Sequence, residues 1–158
     1  MSYSTHYKSP IGEILLASDG RNLTGLWMAG QKYFAATAAN AVRKDDLAIF
    51  DQTRRWLDRY FAGDKPKISE LPLAPRGTDF RQSVWKILCE IPYGEVTTYG
   101  DIARRLRCTS ARAVGGAVGH NPISIIIPCH RVIGTDGGLT GYAGGLDRKV
   151  KLLELERA

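Results

Sequence analysis

The first 30 residues alternate between apolar and polar positions with the period of two that is typical of β-strands. This pattern predicts three short strands: Tyr3 to Lys8, Gly12 to Ala17 and Leu23 to Met28. Ser9-Pro10 and the run from Asp19 to Asn22 separate them, and these residue types are favoured in turns.

Helical spacing follows the strands. Leu47, Phe50, Leu57 and Phe61 recur at that spacing, and Gly63 is expected to end the helix. The N-terminal part is therefore predicted to be a small sheet with one helix packed on it. Residues 63 to 78 contain Pro66, Pro72, Pro75 and Gly77, and so many helix and strand breakers predict an extended linker.

The C-terminal part is predicted to be mostly helical. One helix is predicted to begin at Thr78 or Asp79, either of which can cap it. Its buried stripe is expected to be Phe80, Val84, Ile87, Leu88 and Ile91. After a turn at residues 92–94, two short helices are predicted, at about 98–106 and 110–119, and the tight linker between them is typical of a helix-turn-helix.

The second of these short helices is unusually smooth. It contains Gly115, Gly116 and Gly119, each costing about 1 kcal/mol relative to alanine, and no large side chain except Arg112. Two interpretations are open: close packing against another helix, or close approach of a partner to the helix backbone. Arg112 is then either an ordinary surface charge or a side chain that enters a DNA duplex and replaces a displaced base.

Composition narrows the class of protein. The 158 residues suffice for one domain or two small ones. The net charge of +6 is typical of a protein with a polyanionic partner, most simply nucleic acid, but a merely basic protein without such a partner is equally compatible with it. The polar N-terminus has no signal-peptide core, and the apolar run at 125–127 is far too short to span a bilayer. We therefore expect a cytoplasmic protein with no membrane partner.

Three cysteines, Cys89, Cys108 and Cys129, lack C-x-x-C spacing, which argues against disulfides and against a cysteine-rich zinc site. Cys89 is expected to be an inert packing residue on its helix. Cys129 follows Pro128, which fixes the backbone, and precedes His130, which can accept the thiol proton and so supply the nucleophilic thiolate. The alternative is a buried cysteine that ends a strand beside an unrelated histidine.

The run 112–117, the Asn121-Pro122 pair and the run 127–132 together closely resemble the O6-alkylguanine-DNA alkyltransferases, also called methylated-DNA–protein-cysteine methyltransferases. The resemblance extends from about Thr78 to the C-terminus, with Phe80, Trp85, Pro92-Tyr93-Gly94 and Tyr99 also in family positions. The N-terminal half is a looser match of the expected length and layout.

The resemblance implies an α+β fold. Residues 1–75 would form a ribonuclease-H-like sheet and helix with the linker, and residues 76–158 a mostly helical winged helix-turn-helix domain that binds DNA and carries the chemistry. Some family members hold a zinc ion in the N-terminal domain, but the ligands are missing from this sequence, so no metal and no other cofactor are expected.

The implied activity is DNA repair. The protein would swing a damaged guanine out of duplex DNA, because O6 is poorly reached inside the stack, and transfer the alkyl group irreversibly to Cys129. Each molecule would act once. The partner would be double-stranded DNA carrying O6-alkylguanine, bound by a monomer; the alkyl size accepted, activity on O4-alkylthymine and cooperativity on DNA stay open.

The resemblance also implies roles for single residues. His130 would take the thiol proton through a water, Glu156 would orient and charge-stabilise His130, and Asn121 would hold the turn before the thiol. Tyr99 would crowd the phosphate of the damaged nucleotide while Arg112 fills the vacated space. The other residues expected at the DNA surface are Thr98, Ala111, Gly115 and Thr135; those expected around the guanine are Val132, Tyr142, Ala143 and Lys149.

Position 143, often a small hydroxyl residue in this family, is alanine here, so only a backbone N–H could serve at that point. Three rival functions remain. A non-enzymatic sensor of alkylated DNA would have its nucleophile replaced, but Cys129 is present. A sequence-specific transcription factor would need base-reading side chains on 110–119, which has none beyond Arg112. A cysteine hydrolase would leave the smooth helix and the basic charge without explanation.

Overall fold

The computed structural model describes residues 1–139 and 141–158. The N-terminal part contains a four-stranded sheet in the order β3-β2-β1-β4. The strands are β1 (Tyr3–Ser9), β2 (Gly12–Ser18), β3 (Leu23–Met28) and β4 (Val42–Arg43). The first three pair antiparallel, which confirms the predicted strands, while β4 lies parallel to β1 and is too short and too exposed to give an alternating pattern.

Helix α1 (Ala48–Phe61) packs on this sheet, as predicted. Its buried face includes Phe50, Trp56, Leu57 and Tyr60. Gly63 follows with a φ of +87°, a conformation that favours glycine and ends the helix.

The described residues of the C-terminal part form four α-helices: α2 (Asp79–Leu88), α3 (Tyr99–Arg105), α4 (Ala111–Gly119) and α5 (Leu146–Arg157). Thr78, Thr98 and Ser110 cap the first three, each hydroxyl accepting a hydrogen bond from a backbone N–H in the first turn. A small parallel pair, β5 (Thr97–Thr98) and β6 (Val132–Ile133), accompanies the helix-turn-helix formed by α3 and α4. This arrangement confirms the α+β fold class.

The predicted stripe of α2 is wrong at Phe80, whose exposed fraction is 38%. The first turn of the helix, residues 79–80, lies at the protein surface. The periodicity therefore identifies the buried face of the helix but not the point along the helix at which that face becomes exposed. Trp85 is buried instead, and its indole N–H donates to the Ala117 carbonyl of α4 at 2.8 Å. Ile91 is buried as expected but lies beyond the end of the helix.

The outer edge of β3 is covered by two distant segments of the chain. Leu23 exchanges backbone hydrogen bonds with Pro72 and Ala74 of the linker, at 2.8 Å each. Leu26 likewise accepts from Ser124 at 3.0 Å and donates to Pro122 at 2.8 Å. The N-terminal sheet therefore holds the segment that leads to Cys129, and one hydrophobic core runs through both parts of the chain. Within the described residues, no helix is long and apolar enough to cross a bilayer.

Candidate active site

Cys129 lies at the start of a single 3₁₀ turn, Cys129–Arg131, and only 3% of its surface is exposed. The chain is not extended at this point, because the Arg131 N–H turns back to the Pro128 carbonyl at 3.0 Å. Successive side chains of a 3₁₀ turn still point about 120° apart. The thiol and the imidazole of the next residue therefore diverge.

Burial raises the pKa of the Cys129 thiol. The neighbouring side chains of Asn121 and Tyr142 and the ammonium group of Lys149 oppose this shift without cancelling it. The sulfur is consequently a thiol at neutral pH, and formation of a thiolate requires a base nearby.

His130 is fully buried, and its Nε2 lies 2.5 Å from Oε2 of Glu156. A carboxylate accepts hydrogen bonds, so Nε2 carries the proton and Nδ1 is left as an acceptor. Among the described residues, Nδ1 has no hydrogen-bond partner. Burial lowers the pKa of His130, although Glu156 opposes the shift, so the imidazole is neutral at pH 7 and can accept a proton.

Glu156 is held by three further groups. Arg131 donates from Nε at 2.7 Å and from Nη2 at 3.1 Å, and the Tyr60 hydroxyl donates at 2.5 Å. The Gly94 N–H adds a contact at 3.3 Å. Burial alone would raise the pKa of Glu156, but these hydrogen bonds and the one from His130 hold it far below its ordinary value. The carboxylate is therefore ionised, and Arg131 is its ion-pair partner.

The contacts of Tyr60 and Gly94 with Glu156 were not predicted from the sequence. Tyr60 lies 96 positions from Glu156, on the N-terminal helix α1. Its spacing of three residues from Leu57 places it on the buried face, and a buried tyrosine hydroxyl needs a partner, but nothing local says which one.

Asn121 ties together the segment before the thiol. Its Nδ2 donates to the Ile127 carbonyl at 2.8 Å, and its Oδ1 accepts from the Ile123 N–H at 3.0 Å. Between them, Ile125 has a φ of +69°, which is strained for a β-branched residue. The segment is thus a fixed, tightly bonded loop rather than a simple strand end.

A cavity of about 650 Å³ opens beside α4. Seven of the residues predicted for DNA or base contacts line it: Tyr99, Ala111, Arg112, Gly115, Thr135, Tyr142 and Ala143. Three others do not. Thr98 caps α3, while Val132 is fully buried and its carbonyl accepts from Nζ of the buried Lys149 at 2.6 Å. Lys32 and Tyr33 of the N-terminal part also line the cavity and were not predicted.

The glycines of α4 face this cavity or open space. A Cβ added at Gly116 or Gly119 would meet no atom of the described residues within 4 Å, and one at Gly115 would touch only the Tyr99 ring, at 4.0 Å. Close helix–helix packing therefore does not explain them. The smooth surface is left free for something outside the chain, with Arg112 exposed beside it.

Two family models match the chain: the ribonuclease-like domain of 6-O-methylguanine DNA methyltransferase over residues 2–75, and the DNA-binding domain of the same proteins over residues 79–158. The chain therefore belongs to the 6-O-methylguanine DNA methyltransferase family, as its resemblance predicted.

Individual relatives are similar over almost their whole length. The methylated-DNA–protein-cysteine methyltransferase of Haemophilus influenzae is 47% identical over 98% of this chain and 86% of its own. That of Methanosarcina barkeri is 52% identical, with 94% and 93% covered. A crystal structure of Mycobacterium tuberculosis OGT in complex with DNA superposes with a TM-score of 0.89 at 46% identity, covering 98% of this chain and 92% of that one.

Proposed function

We propose that this chain repairs DNA by transferring the alkyl group from O6 of guanine in duplex DNA to the sulfur of Cys129, once per molecule. The observation that carries the proposal is the buried thiol followed by a neutral, Glu156-bound histidine. The thiol neighbours Tyr142, which lines the cavity along the smooth helix α4. Family membership and relatives named for transfer from methylated DNA to a protein cysteine support it.

The proton moves first. Nδ1 of His130 is the acceptor, and because the two side chains diverge, a single water relays the proton from the Cys129 sulfur to it. Glu156 stabilises the imidazolium that forms, as the third member of a nucleophile–base–orienter set. The positive charge of Lys149, held beside the sulfur, favours the thiolate.

The thiolate then attacks the alkyl carbon. A carbon–sulfur bond forms as the bond between that carbon and O6 breaks, and the electron pair of the broken bond goes to guanine. The imidazolium returns its proton to the departing base, so charge and atoms balance. The product at Cys129 is a thioether, and none of the site residues offers a group that would cleave it. One transfer therefore uses up the protein.

Helix α4, which lines the cavity, would recognise the DNA. A helix with little side-chain volume fits the minor groove, where base readout is poor, so repair is possible in any sequence. Arg112 occupies the space of the extruded base, and Tyr99 crowds the phosphate of the rotated nucleotide. Ala111, Gly115 and Thr135 line the same cavity, while Thr98 keeps α3 in place by its cap.

Tyr142 and Ala143 would contact the extruded guanine directly, since both line the cavity. Val132 and Lys149 would act from beneath it, through the hydrogen bond that joins them. We expect the protein to bind as a monomer, while O4-alkylthymine as a second substrate and cooperative binding stay open predictions. Cys129 is present, so nothing favours the sensor alternative.

The test compares three single variants: Cys129→Ala, Cys89→Ala and Cys108→Ala. Each is incubated with a duplex carrying O6-methylguanine and weighed as an intact protein, and duplex affinity is measured in parallel. We expect Cys129→Ala to gain no methyl group yet to bind DNA, and the other two to react like the natural protein. Methylation of the Cys129→Ala protein, or tight binding without any mass change in the natural protein, would contradict the proposal.

A further inference from the structure

Glu156 accepts two short hydrogen bonds on the same oxygen atom. Nε2 of His130 and the hydroxyl of Tyr60 both lie 2.5 Å from Oε2, and Nη2 of Arg131 is 3.1 Å from it. The other oxygen, Oε1, accepts from Nε of Arg131 at 2.7 Å and faces the Gly94 N–H at 3.3 Å. Because a carboxylate oxygen has about two lone pairs, Tyr60 and His130 compete for the same atom.

Tyr60 comes from helix α1 of the N-terminal part, and its ring is tightly packed. Only 1% of its surface is exposed. The ring stacks on Trp56 with centroids 5.7 Å apart, and it meets Phe61 and Tyr93 edge to face at 5.2 and 6.1 Å. Aromatic contacts on three sides fix the position of the hydroxyl, so its bond to Glu156 does not depend on a freely rotating side chain.

Several charged or titratable groups surround the His130–Glu156 pair. They come from α5, the 3₁₀ turn, the turn after α2, the loop before α5, and α1: Lys149, Cys129 and Arg131, Tyr93, Tyr142, and Tyr60. Burial lowers the pKa of His130, and the positive charges of Arg131 and Lys149 act in the same direction, whereas the carboxylate raises it. The Tyr60 hydroxyl stays protonated near neutral pH, because burial and the carboxylate raise its pKa.

The attraction of Glu156 for the imidazole has to be limited for the proposed chemistry. A base must be unprotonated before it can accept the thiol proton, and a carboxylate beside it favours the protonated form. A second short donor on the same oxygen stabilises the carboxylate and weakens its effect on the ring of His130. The same donor keeps Oε2 opposite Nε2, which leaves Nδ1 as the nitrogen that accepts.

We propose that Tyr60 is a positioning residue for the alkyl transfer: by donating to the oxygen that binds His130, it holds the carboxylate in place and keeps the imidazole neutral until the thiol proton arrives. This inference rests on the proposed function, because it concerns the base of the same transfer to Cys129. The hydroxyl keeps its proton throughout, and Tyr60 acts through Glu156. The N-terminal part thereby takes a role in the chemistry as well as in packing.

The test uses Tyr60→Phe, which keeps the buried ring and removes the hydroxyl. The first readout is the single-turnover rate of methyl transfer to Cys129 from saturating duplex that carries O6-methylguanine, measured as a function of pH. Without the Tyr60 donor, the carboxylate should hold the imidazolium more strongly, so the acidic limb of the profile should move up by about half a pH unit. The rate on that limb then falls roughly threefold, while duplex affinity stays that of the natural protein.

The second readout needs no transfer. With isotope-labelled histidine, the ring nitrogens of His130 report its protonation by nuclear magnetic resonance, and His130→Gln identifies their signals among those of His6 and His120. The titration midpoint of His130 should rise by about the same half unit in Tyr60→Phe. If no methyl group reaches Cys129 in the natural protein, the proposed function fails and the inference with it. An unmoved midpoint beside normal transfer overturns the inference alone.

Tyr7→Phe is the matched control. The Tyr7 hydroxyl donates to Asp58 of the same helix α1 at 2.6 Å, so this variant also removes a hydrogen bond between a tyrosine and a carboxylate, but one that does not involve Glu156. It should leave the pH profile and the His130 midpoint unchanged. A uniform loss of rate in Tyr60→Phe without a shift of the acidic limb would make Tyr60 a merely structural residue and overturn the inference. An equal shift in both variants would do the same.

Discussion

Two regions of the site are built in opposite ways: the floor, which is the buried network around Glu156, and the groove, which is the cavity along helix α4. On the floor, His130, Arg131 and Glu156 are buried together, and the carboxylate accepts hydrogen bonds from four different residues. In the groove, helix α4 exposes Arg112 and Gly116, and no atom of the described residues lies within 4 Å of where a Cβ would stand at Gly116 or Gly119. The dense network fixes one geometry for the groups around Glu156, while helix α4 offers a surface with few features, which under the proposed function would accept duplex DNA of any sequence.

The two regions also differ in what maintains them. A buried ionic network is stable only while all of its members are present, because each partner left alone becomes an uncompensated buried charge. The groove has the reverse property. Its glycines destabilise the helix, and filling them would help the fold while obstructing the partner.

The largest effect is expected on the floor. Glu156→Ala leaves Arg131 and His130 buried without their carboxylate, so the free energy of unfolding should fall by about 3–5 kcal/mol. Urea denaturation measures it. Glu154→Ala, an exposed glutamate on the same helix, is the control and should change stability by about 0.5 kcal/mol or less. Equal, small losses in both variants would mean that the network does not hold the floor together.

A smaller change in stability, and one of opposite sign, is expected from a substitution in the groove. Gly116→Leu should raise the free energy of unfolding by about 0.5–1 kcal/mol, because leucine is a better helix former and a Cβ at this position meets no described atom within 4 Å. Affinity for duplex DNA should fall roughly tenfold, equivalent to about 1.4 kcal/mol, because the side chain blocks close approach to the narrow minor groove.

Ala113→Leu serves as its control, since Ala113 lies on the same helix, is exposed and does not line the cavity. It should leave DNA affinity closer to that of the natural protein. If both variants lose the same affinity, or neither does, the cavity face of α4 is not the face that meets DNA.

The most gradual expected effect is the response of stability to acid. The folded-state pKa of His130 is lowered, so below its ordinary value of 6.5 the unfolded chain binds more protons than the folded one. Stability should therefore fall as pH drops below about 6.5, by at most ~1.4 kcal/mol per pH unit for this residue, and fall further below 4.5, where Glu156 adds the same sign. Denaturation at pH values from 7.5 to about 4 measures this.

His130→Gln keeps a donor for Glu156 but does not titrate. In that variant the loss of stability between pH 6.5 and 4.5 should become shallower. An identical slope in both proteins would show that His130 is not the group responsible, and would weaken its assignment as a neutral, buried base.

The sequence predicted those features that depend on local order. Period-two and helical patterns located the three main strands and the helices, and the Pro128-Cys129-His130 run with the glycine-rich helix pointed to the nucleophile and its base. Phe80 was misplaced because periodicity does not reveal where a helix reaches the surface. The 3₁₀ turn at Cys129 was missed because its residues carry no turn signal.

Contacts between residues far apart in the sequence could not be predicted either. Glu156 entered only through the resemblance, since a charge near the end of a helix is ordinarily solvated. Tyr60, which binds that carboxylate, and Tyr33, which walls the cavity, come from the N-terminal part and reach the site only after both parts pack together. Neither periodicity nor a local motif predicts contacts between residues so far apart in the sequence.

The most direct test of the central claim is a titration. A fixed amount of protein is mixed with increasing duplex DNA carrying O6-methylguanine, and the methyl groups bound per chain are measured by intact mass and located by peptide mapping. The account predicts a plateau at one methyl per chain, all of it on Cys129. Continued removal of methyl groups beyond one per chain, or a plateau on another residue, would contradict it.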